Sequence, residues 1–142
     1  MKFLTQEMLD EVMKRAEEDP ESASNFKKLT IRIVLLATDA PGDEDRQAVL
    51  TLEDGKFTGV SVKIQPAPGE LRTAPFDATK YDAQVTSPYE TLVDLLSGDI
   101  SMMRMMKALG KMKVDGSKSK LMTQAGGFIA LLKSLSSIPV EY

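Results

Sequence analysis

The chain has 142 residues, a net charge of −3, 42% hydrophobic and 27% charged side chains, and neither cysteine nor histidine. These values are ordinary for one globular domain, so we expect residues 1–142 to form a single domain that begins with a helical segment over 1–27. The missing residue types exclude disulfides, thiolate or imidazole metal sites, and Ser–His or Cys–His nucleophilic sites. We therefore expect no cofactor and no metal centre. We also expect no enzymatic activity, because no carboxylate lies in an apolar context with a spaced partner that would indicate acid–base catalysis.

Charge is divided unevenly along the chain. Residues 1–100 carry 11 basic and 19 acidic side chains, whereas residues 101–142 carry 7 basic and 2 acidic ones. The basic end is either a solvated helix face or a surface that meets anionic headgroups or nucleic acid. No apolar run reaches the ~20 residues that span a bilayer, and acidic residues follow too early for a signal peptide, which predicts a cytoplasmic protein.

The first predicted element is a helix that Thr5 caps and that ends near Glu18, because apolar residues recur on one face. Asp19 is then a candidate cap for a short second turn with Pro20 at its first position. Alternation and a high content of β-branched residues predict a strand over 28–38. The acidic loop that follows, DAPGDED, lacks the spacing of a calcium-binding loop and is expected to be solvated.

An Asp-Gly pair between two alternating segments predicts a β-hairpin. Leu50 and Val60 should both face the core, but a plain two-residue turn would place Leu50 opposite Gly59 instead. One extra residue at the turn would place both residues on the core side, so the pattern predicts a bulged loop with Gly55 in the left-handed conformation. The two strands are predicted over 47–53 and 56–65.

No regular element is predicted for residues 66–80, and a short strand is expected over 81–86. Ser87 is then a candidate helix cap, with proline next and glutamate three residues later, and Gly98 ends that helix. Asp99 is the candidate cap of the following helix.

Gly110 ends this second helix, and a short strand is predicted over 111–115. A long final helix should begin at Ser117, because its apolar residues form a continuous stripe. The stripe consists of Leu121, Ala125, Phe128, Leu132 and Leu135. Strands followed by helices predict an α+β fold: a twisted, largely antiparallel sheet of about five strands with helices on one face.

Six of the nine methionines lie between Ser97 and Met122. On the predicted helix, Met102, Met105 and Met106 share one face, while Met103 lies on a second, which indicates contact with protein or ligand on two sides. Methionine is flexible and polarizable and adapts to partners of different shape. The stretch is therefore either ordinary core or the wall of a ligand cavity, and composition alone does not separate these alternatives.

From Tyr81 to Gly116 the chain runs YDAQVTSPYETLVDLLSGDISMMRMMKALGKMKVDG. A strand of small and apolar residues leads into a leucine-rich helix and a glycine. An acidic residue, a short helix and a Gly-Lys-apolar-Lys-apolar-acidic-Gly strand follow. This order resembles the central signature of the sterol carrier protein type two family, with the best match over 81–135 and a weaker one over 28–64.

The resemblance implies an apolar tunnel between sheet and helices that takes up fatty acyl chains, sterol-like molecules or phospholipids, without chemistry. We expect lipid binding and transfer, transient contact of the basic C-terminal part with anionic membranes, and no nucleic-acid partner. The alternative is a module for protein interaction or self-association, including a homo-oligomer, that uses the methionine-rich surface. The ligand-binding residues implied are Met102, Met105, Met106, Leu109, Met112, Val114, Leu121, Met122, Phe128 and Leu132.

Overall fold

The computed structural model describes residues 1–142 and contains five strands and six α-helices. The strands are β1 (Ile31–Ala40), β2 (Glu44–Glu53), β3 (Lys56–Pro66), β4 (Ala83–Pro88) and β5 (Lys113–Gly116). The helices are α1 (Gln6–Glu18), α2 (Ser22–Asn25), α3 (Tyr89–Leu96), α4 (Met102–Leu109), α5 (Lys118–Thr123) and α6 (Ala125–Ser136). The sheet order is β3-β2-β1-β4-β5, with β1 and β4 parallel and the other neighbours antiparallel. The predicted α+β class and sheet are confirmed.

Helices cover one face of this sheet. Helix α1 packs on β3, α3 packs on β1 and β4, and α6 contacts α1, α3, α4 and α5. A single cluster of 31 buried residues fills the space between the layers. The predicted apolar stripe of the last helices lies in it, since Leu121, Ala125, Phe128, Leu132 and Leu135 are all buried. Burying one such large apolar side chain contributes about 1.5–3 kcal/mol, so this stripe is a main source of the docking energy.

The opposite face of the sheet is covered by residues 67–82, which showed no regular pattern in the sequence. Val34 and Leu36 are buried but lie outside the helix-side core, because neighbouring residues of a strand point to opposite faces. A 3-10 turn at Glu70–Arg72 contacts β1, and its Leu71 is buried. The irregular segment therefore provides a second apolar layer behind the sheet.

A buried carboxylate fastens this covering segment to the sheet. Asp45, on β2, has no exposed side-chain surface and accepts two bonds from Arg72, Nε to Oδ2 at 2.7 Å and Nη2 to Oδ1 at 2.8 Å. The backbone N–H groups of Gly69 and Asp39 also donate to it, each at 3.0 Å. The hydrogen bonds from Arg72 lower the pKa of the Asp45 carboxyl to about 2, against the opposing effect of burial.

The β2–β3 hairpin has the predicted pairing but not the predicted turn. Leu50 lies opposite Val60, and Gly55 is left-handed, with φ +80°. The turn itself, however, is a regular two-residue turn, and the extra residue is Thr58, farther along β3. The predicted bulge at the turn was therefore wrong. The pairing of Leu50 with Val60 requires one extra residue in β3, and that residue is Thr58, whose hydroxyl donates to the Thr51 backbone oxygen at 3.3 Å.

Helix starts were predicted with mixed success. Thr5 caps α1 as predicted, its hydroxyl oxygen accepting the N–H of Met8. Asp19 accepts the N–H of Glu21 at 2.9 Å, but α2 begins only at Ser22. The prediction that Asp19 caps this helix was therefore wrong.

Two more caps differ from prediction. Ser87 is buried in β4, because parallel pairing with β1 extends that strand through Pro88, and α3 starts one residue later without a side-chain cap. The cap of α4 is Ser101 rather than Asp99, its hydroxyl oxygen accepting the N–H of Arg104 at 3.2 Å. In α4 a nearby serine takes the role predicted for the aspartate, whereas in α3 strand pairing removes the predicted cap and no side chain replaces it.

The predicted long final helix is two helices that meet at Gln124. Its side-chain amide bonds to both backbone groups of Thr30, accepting the N–H at 2.8 Å and donating to the oxygen at 2.9 Å. This pair of bonds holds the break against the start of β1. Ser117 caps α5 as predicted, its hydroxyl oxygen accepting the N–H of Lys120.

Two adjacent glycines in α6 are expected to respond oppositely to alanine. A Cβ at Gly127 would lie 2.6 Å from the backbone oxygen of Phe26, whereas one at Gly126 would meet only Lys27 Cγ at 3.8 Å. We expect Gly127→Ala to lower the free energy of unfolding by about 1–3 kcal/mol through overpacking. Gly126→Ala should raise it by about 0.5–1 kcal/mol through helix propensity. Urea unfolding of both variants measures this, and equal responses would contradict the difference in close packing between the two glycines.

Candidate functional site

An apolar cleft of about 200 Å³ lies where α4, β5 and α5 meet. Five of the seven residues that line it are hydrophobic. They are Met106, Leu109, Gly110, Val114, Lys118, Leu121 and Met122. The cleft opens to solvent along one side, so an enclosed tunnel stays a prediction.

The three elements bring these side chains together by their local geometry. On α4, Met106 and Leu109 are three residues apart and therefore share a face. Val114 is placed by the β4–β5 pairing, in which it lies opposite Val85. On α5, Leu121 and Met122 follow Lys118 by three and four residues, which turns all three toward the same side.

Five of the ten predicted ligand-binding residues line this cleft: Met106, Leu109, Val114, Leu121 and Met122. Four others are buried in the core cluster and do not reach it, namely Met105, Met112, Phe128 and Leu132. Met102 is 43% exposed and lies outside the lining. Lys118 and Gly110 line the cleft although neither was predicted as a ligand-binding residue. Helical spacing would have indicated Lys118, since it lies three residues before Leu121.

The methionine-rich helix is buried on one side only. Met105 is fully buried, whereas Met102, Met103 and Met106 are 43%, 80% and 52% exposed. Met122, across the cleft, is 39% exposed. Within this chain the substantial helix contacts of α4 are with α3 and α6, so contact of its second apolar side with a ligand or a partner stays a prediction. Met106 and Met122 thus line the cleft, while Met102 and Met103 add exposed apolar surface elsewhere on α4.

Lys118, which lines the cleft, has no salt-bridge partner, whereas Lys113 and Lys120 each have one. Lys120 lies 3.2 Å from Asp82, and Lys113 lies 3.9 Å from Asp115. Burial works against the charged form of Asp82, but hydrogen bonds from basic side chains outweigh this and lower the pKa of its carboxyl. The cleft thus has an apolar wall and one positive charge that is free to meet an anion.

Larger depressions have a different chemistry. One of about 570 Å³ lies beside Asp39, Asp43 and Glu90, and another of about 470 Å³ lies beside Glu17, Asp19 and other residues. Both are lined mainly by polar and charged residues, which suits water better than a hydrocarbon. Size alone therefore does not identify the site. No group of acidic side chains is arranged to hold a metal ion, and no helix combines the length and hydrophobicity that crossing a bilayer requires.

Comparison with known proteins gives matches at the level of structure. No family model and no curated protein matches the sequence. A Thermus thermophilus protein named as a candidate sterol carrier protein superposes with a TM-score of 0.72 at 14% identity, covering 99% of this chain and 92% of its own. Sterol carrier protein 2 gives 0.71 at 14% identity, covering 97% and 100%. The apo sterol carrier protein 2 of Yarrowia lipolytica gives 0.55 at 17% identity, covering 93% and 89%.

At such identities the likeness establishes the fold and not the ligand. This chain has the sterol carrier protein 2 fold, with its five-stranded sheet and helices on one face. The resemblance found in the sequence is confirmed at this level.

Proposed function

Starting from the sterol carrier protein 2 fold of this chain, we propose that it is a cytoplasmic, non-enzymatic carrier that binds and transfers an apolar lipid at the cleft between α4, β5 and α5. The observation that carries the proposal is the clustering of five apolar side chains around an open space, on a fold that sterol carrier proteins share. Methionines at two of the five positions let the wall adapt to acyl chains of different shape.

The size of the cleft limits what it holds without rearrangement. Ligand pockets usually measure about 300–1,000 Å³, so 200 Å³ accommodates part of an acyl chain. Each methylene removed from water contributes about 0.8 kcal/mol, and about a dozen of them suffice for micromolar binding after association costs. A full-length chain therefore needs further space.

We propose that this space lies beneath α5, where the remaining predicted residues are packed. Met105, Phe128 and Leu132 belong to the core behind the cleft. The Gln124–Thr30 bonds hold the junction of α5 and α6 to the sheet. At the other end of α5, the N–H of Ser117 donates to the Asp82 backbone oxygen at 2.9 Å and Lys120 lies 3.2 Å from the Asp82 carboxylate. Because α5 is only six residues long, breaking the contacts with Asp82 would let it move about the junction. Outward movement of α5 would expose these side chains to the guest.

The basic residues around the cleft suit an anionic headgroup or an anionic membrane surface. Lys107, Lys111 and Lys118 are on or beside the elements that form the cleft and have no salt-bridge partners. Attraction to an acidic leaflet is worth about 1 kcal/mol per basic residue near the surface. The exposed methionines would then meet the acyl region while the lysines meet phosphate, which brings the cleft to its source of lipid.

Displacement of a fluorescent fatty acid from delipidated protein tests the carrier function. Saturable binding is expected, and Lys118→Gln should weaken binding of the fatty acid about two- to fivefold, in keeping with an exposed ion pair. Binding of the fatty alcohol of equal chain length should not change. Lys133→Gln, which removes the same charge beside a different depression, is the matched control. Absence of saturable binding contradicts the carrier proposal, and equal losses for acid and alcohol contradict the role of Lys118.

A second candidate function is self-association or protein binding through the exposed methionines. It is favoured by Met103, which is 80% exposed and lies outside the cleft. Light scattering over a range of concentrations distinguishes the two, because a shared apolar surface makes the mass depend on concentration, and a cleft does not. Met103→Glu should abolish any such assembly while leaving fatty-acid binding intact.

A further inference from the structure

The two methionines that line the cleft are both partly exposed to solvent. Met106 is 52% exposed and Met122 is 39% exposed, and they approach the same space from α4 and α5. Other methionines differ sharply, since Met8 and Met105 have no exposed surface. Because the chain has no cysteine, thioethers are its only readily oxidised sulfur groups.

We propose that Met106 and Met122 are oxidation sites, and that their conversion to methionine sulfoxide closes the cleft to apolar ligands. The oxidant is hydrogen peroxide or another two-electron oxidant. Peroxide transfers one oxygen atom to Sδ, so that the sulfide is oxidised by two electrons, the O–O bond breaks, and water leaves. This inference rests on the proposed lipid binding, because it concerns access to the same site.

The effect follows from the polarity of the product. A sulfoxide oxygen is a hydrogen-bond acceptor on a side chain that was apolar, and a hydrocarbon guest offers it no donor. Covering an acceptor without a partner is unfavourable, so the oxidised wall stays hydrated and the guest is excluded. Two sulfoxides on opposite sides of a cleft of about 200 Å³ leave little apolar wall between them.

The chain contains its own controls. Met103 is the most exposed of the methionines on α4, at 80%, but does not line the cleft. It should oxidise readily without any effect on binding. Met105 is its neighbour on the same helix and is fully buried, so it should be protected for as long as the protein stays folded.

The experiment treats the full chain with hydrogen peroxide and follows each methionine by tandem mass spectrometry that resolves Met105 from Met106. Binding of a dansylated undecanoic acid is measured before and after treatment, and circular dichroism confirms that the fold is retained. The variants are Met106→Leu with Met122→Leu, each single change, and Met103→Leu. Leucine preserves volume and helix propensity and does not oxidise.

In the wild type, Met106 and Met122 should oxidise well before Met105, and affinity for the dansylated acid should fall about tenfold to a hundredfold. The double leucine variant should bind the dansylated acid with the same affinity before and after peroxide treatment. Met103→Leu should lose affinity on treatment as the wild type does, and a methionine sulfoxide reductase should restore binding in the wild type.

Oxidation of Met106 no faster than Met105 overturns the assignment of the site. Full oxidation with unchanged affinity, or an equal loss in the double variant, overturns the closure. Absence of binding before any treatment overturns the carrier function instead, and the closure with it, while the oxidation order still tests the assignment of the two methionines.

Discussion

Met106→Glu is expected to reduce fatty-acid affinity by about tenfold or more, the largest effect on binding of any single change at the cleft. The substitution replaces an apolar wall with a carboxylate that stays hydrated and excludes a hydrocarbon guest. It also repels an anionic headgroup held by Lys118. Folding should be unaffected, because Met106 is 52% exposed and glutamate is a good helix former.

Met103→Glu is the matched control for this change. It makes the same substitution on the same helix, three residues earlier, at a side chain that is 80% exposed and outside the cleft. Fluorescent fatty-acid titration of the two variants should show a loss for Met106→Glu alone. Equal affinities would mean that the guest does not lie against α4, and the cleft would then not be the binding site.

The second large effect concerns stability, where Asp45→Asn should lower the free energy of unfolding by about 3 kcal/mol. The carboxylate is fully buried and accepts four hydrogen bonds, two of them from Arg72. An amide offers only one accepting oxygen, so at least one buried donor loses its partner. The segment over 67–82 should loosen first, because Asp45 is the anchor that joins it to β2.

Asp39→Asn provides the comparison, since Asp39 also bonds Arg72, at 2.7 Å, but its side chain is 71% exposed. An exposed pair contributes about 0–1 kcal/mol, and asparagine tolerates the left-handed backbone found there, with φ +56°. Urea unfolding at neutral pH should therefore separate the two variants by about 2 kcal/mol or more. Equal losses in the free energy of unfolding would show that burial and the additional donors do not increase the contribution of Asp45 to stability.

The same carboxylate predicts how stability depends on acid. Its pKa is lowered from 3.8 to about 2 in the folded protein, so the unfolded chain takes up a proton more readily than the native one. The contribution of Asp45 is complete above pH 3.8 and is lost as the pH falls from there through about 2. Asp45→Asn should reduce the slope of stability against pH in that window, and an unchanged slope would contradict the assignment.

Much of the fold was legible from local patterns in the sequence. Thr5, Gly98 and Gly110 marked helix boundaries through their conformational preferences, and the strands followed from alternation of apolar residues. The pairing of Leu50 with Val60 followed from the requirement that both residues face the core. Each of these depends on residues close together in the chain, where pattern and structure are tightly linked.

Other features depended on contacts between distant residues. The position of the bulge at Thr58, the extension of β4 through Ser87 and the break at Gln124 each reflect a partner strand or segment far away in sequence. The layer over 67–82 has no periodicity, because it is held by Asp45 and by the sheet it covers rather than by its own backbone pattern.

The candidate site shows the same division. The sequence by itself determined that a methionine-rich, basic C-terminal part follows an acidic segment over 1–100. It also excluded thiol and imidazole chemistry, because composition and spacing are properties of the chain alone. Only the tertiary structure decided which of those methionines are buried and which line an open cleft, because helical periodicity shows that residues share a face but not what that face meets. Met105 and Met106 are adjacent in sequence, yet the first is buried in the core cluster and the second lies beside the cleft.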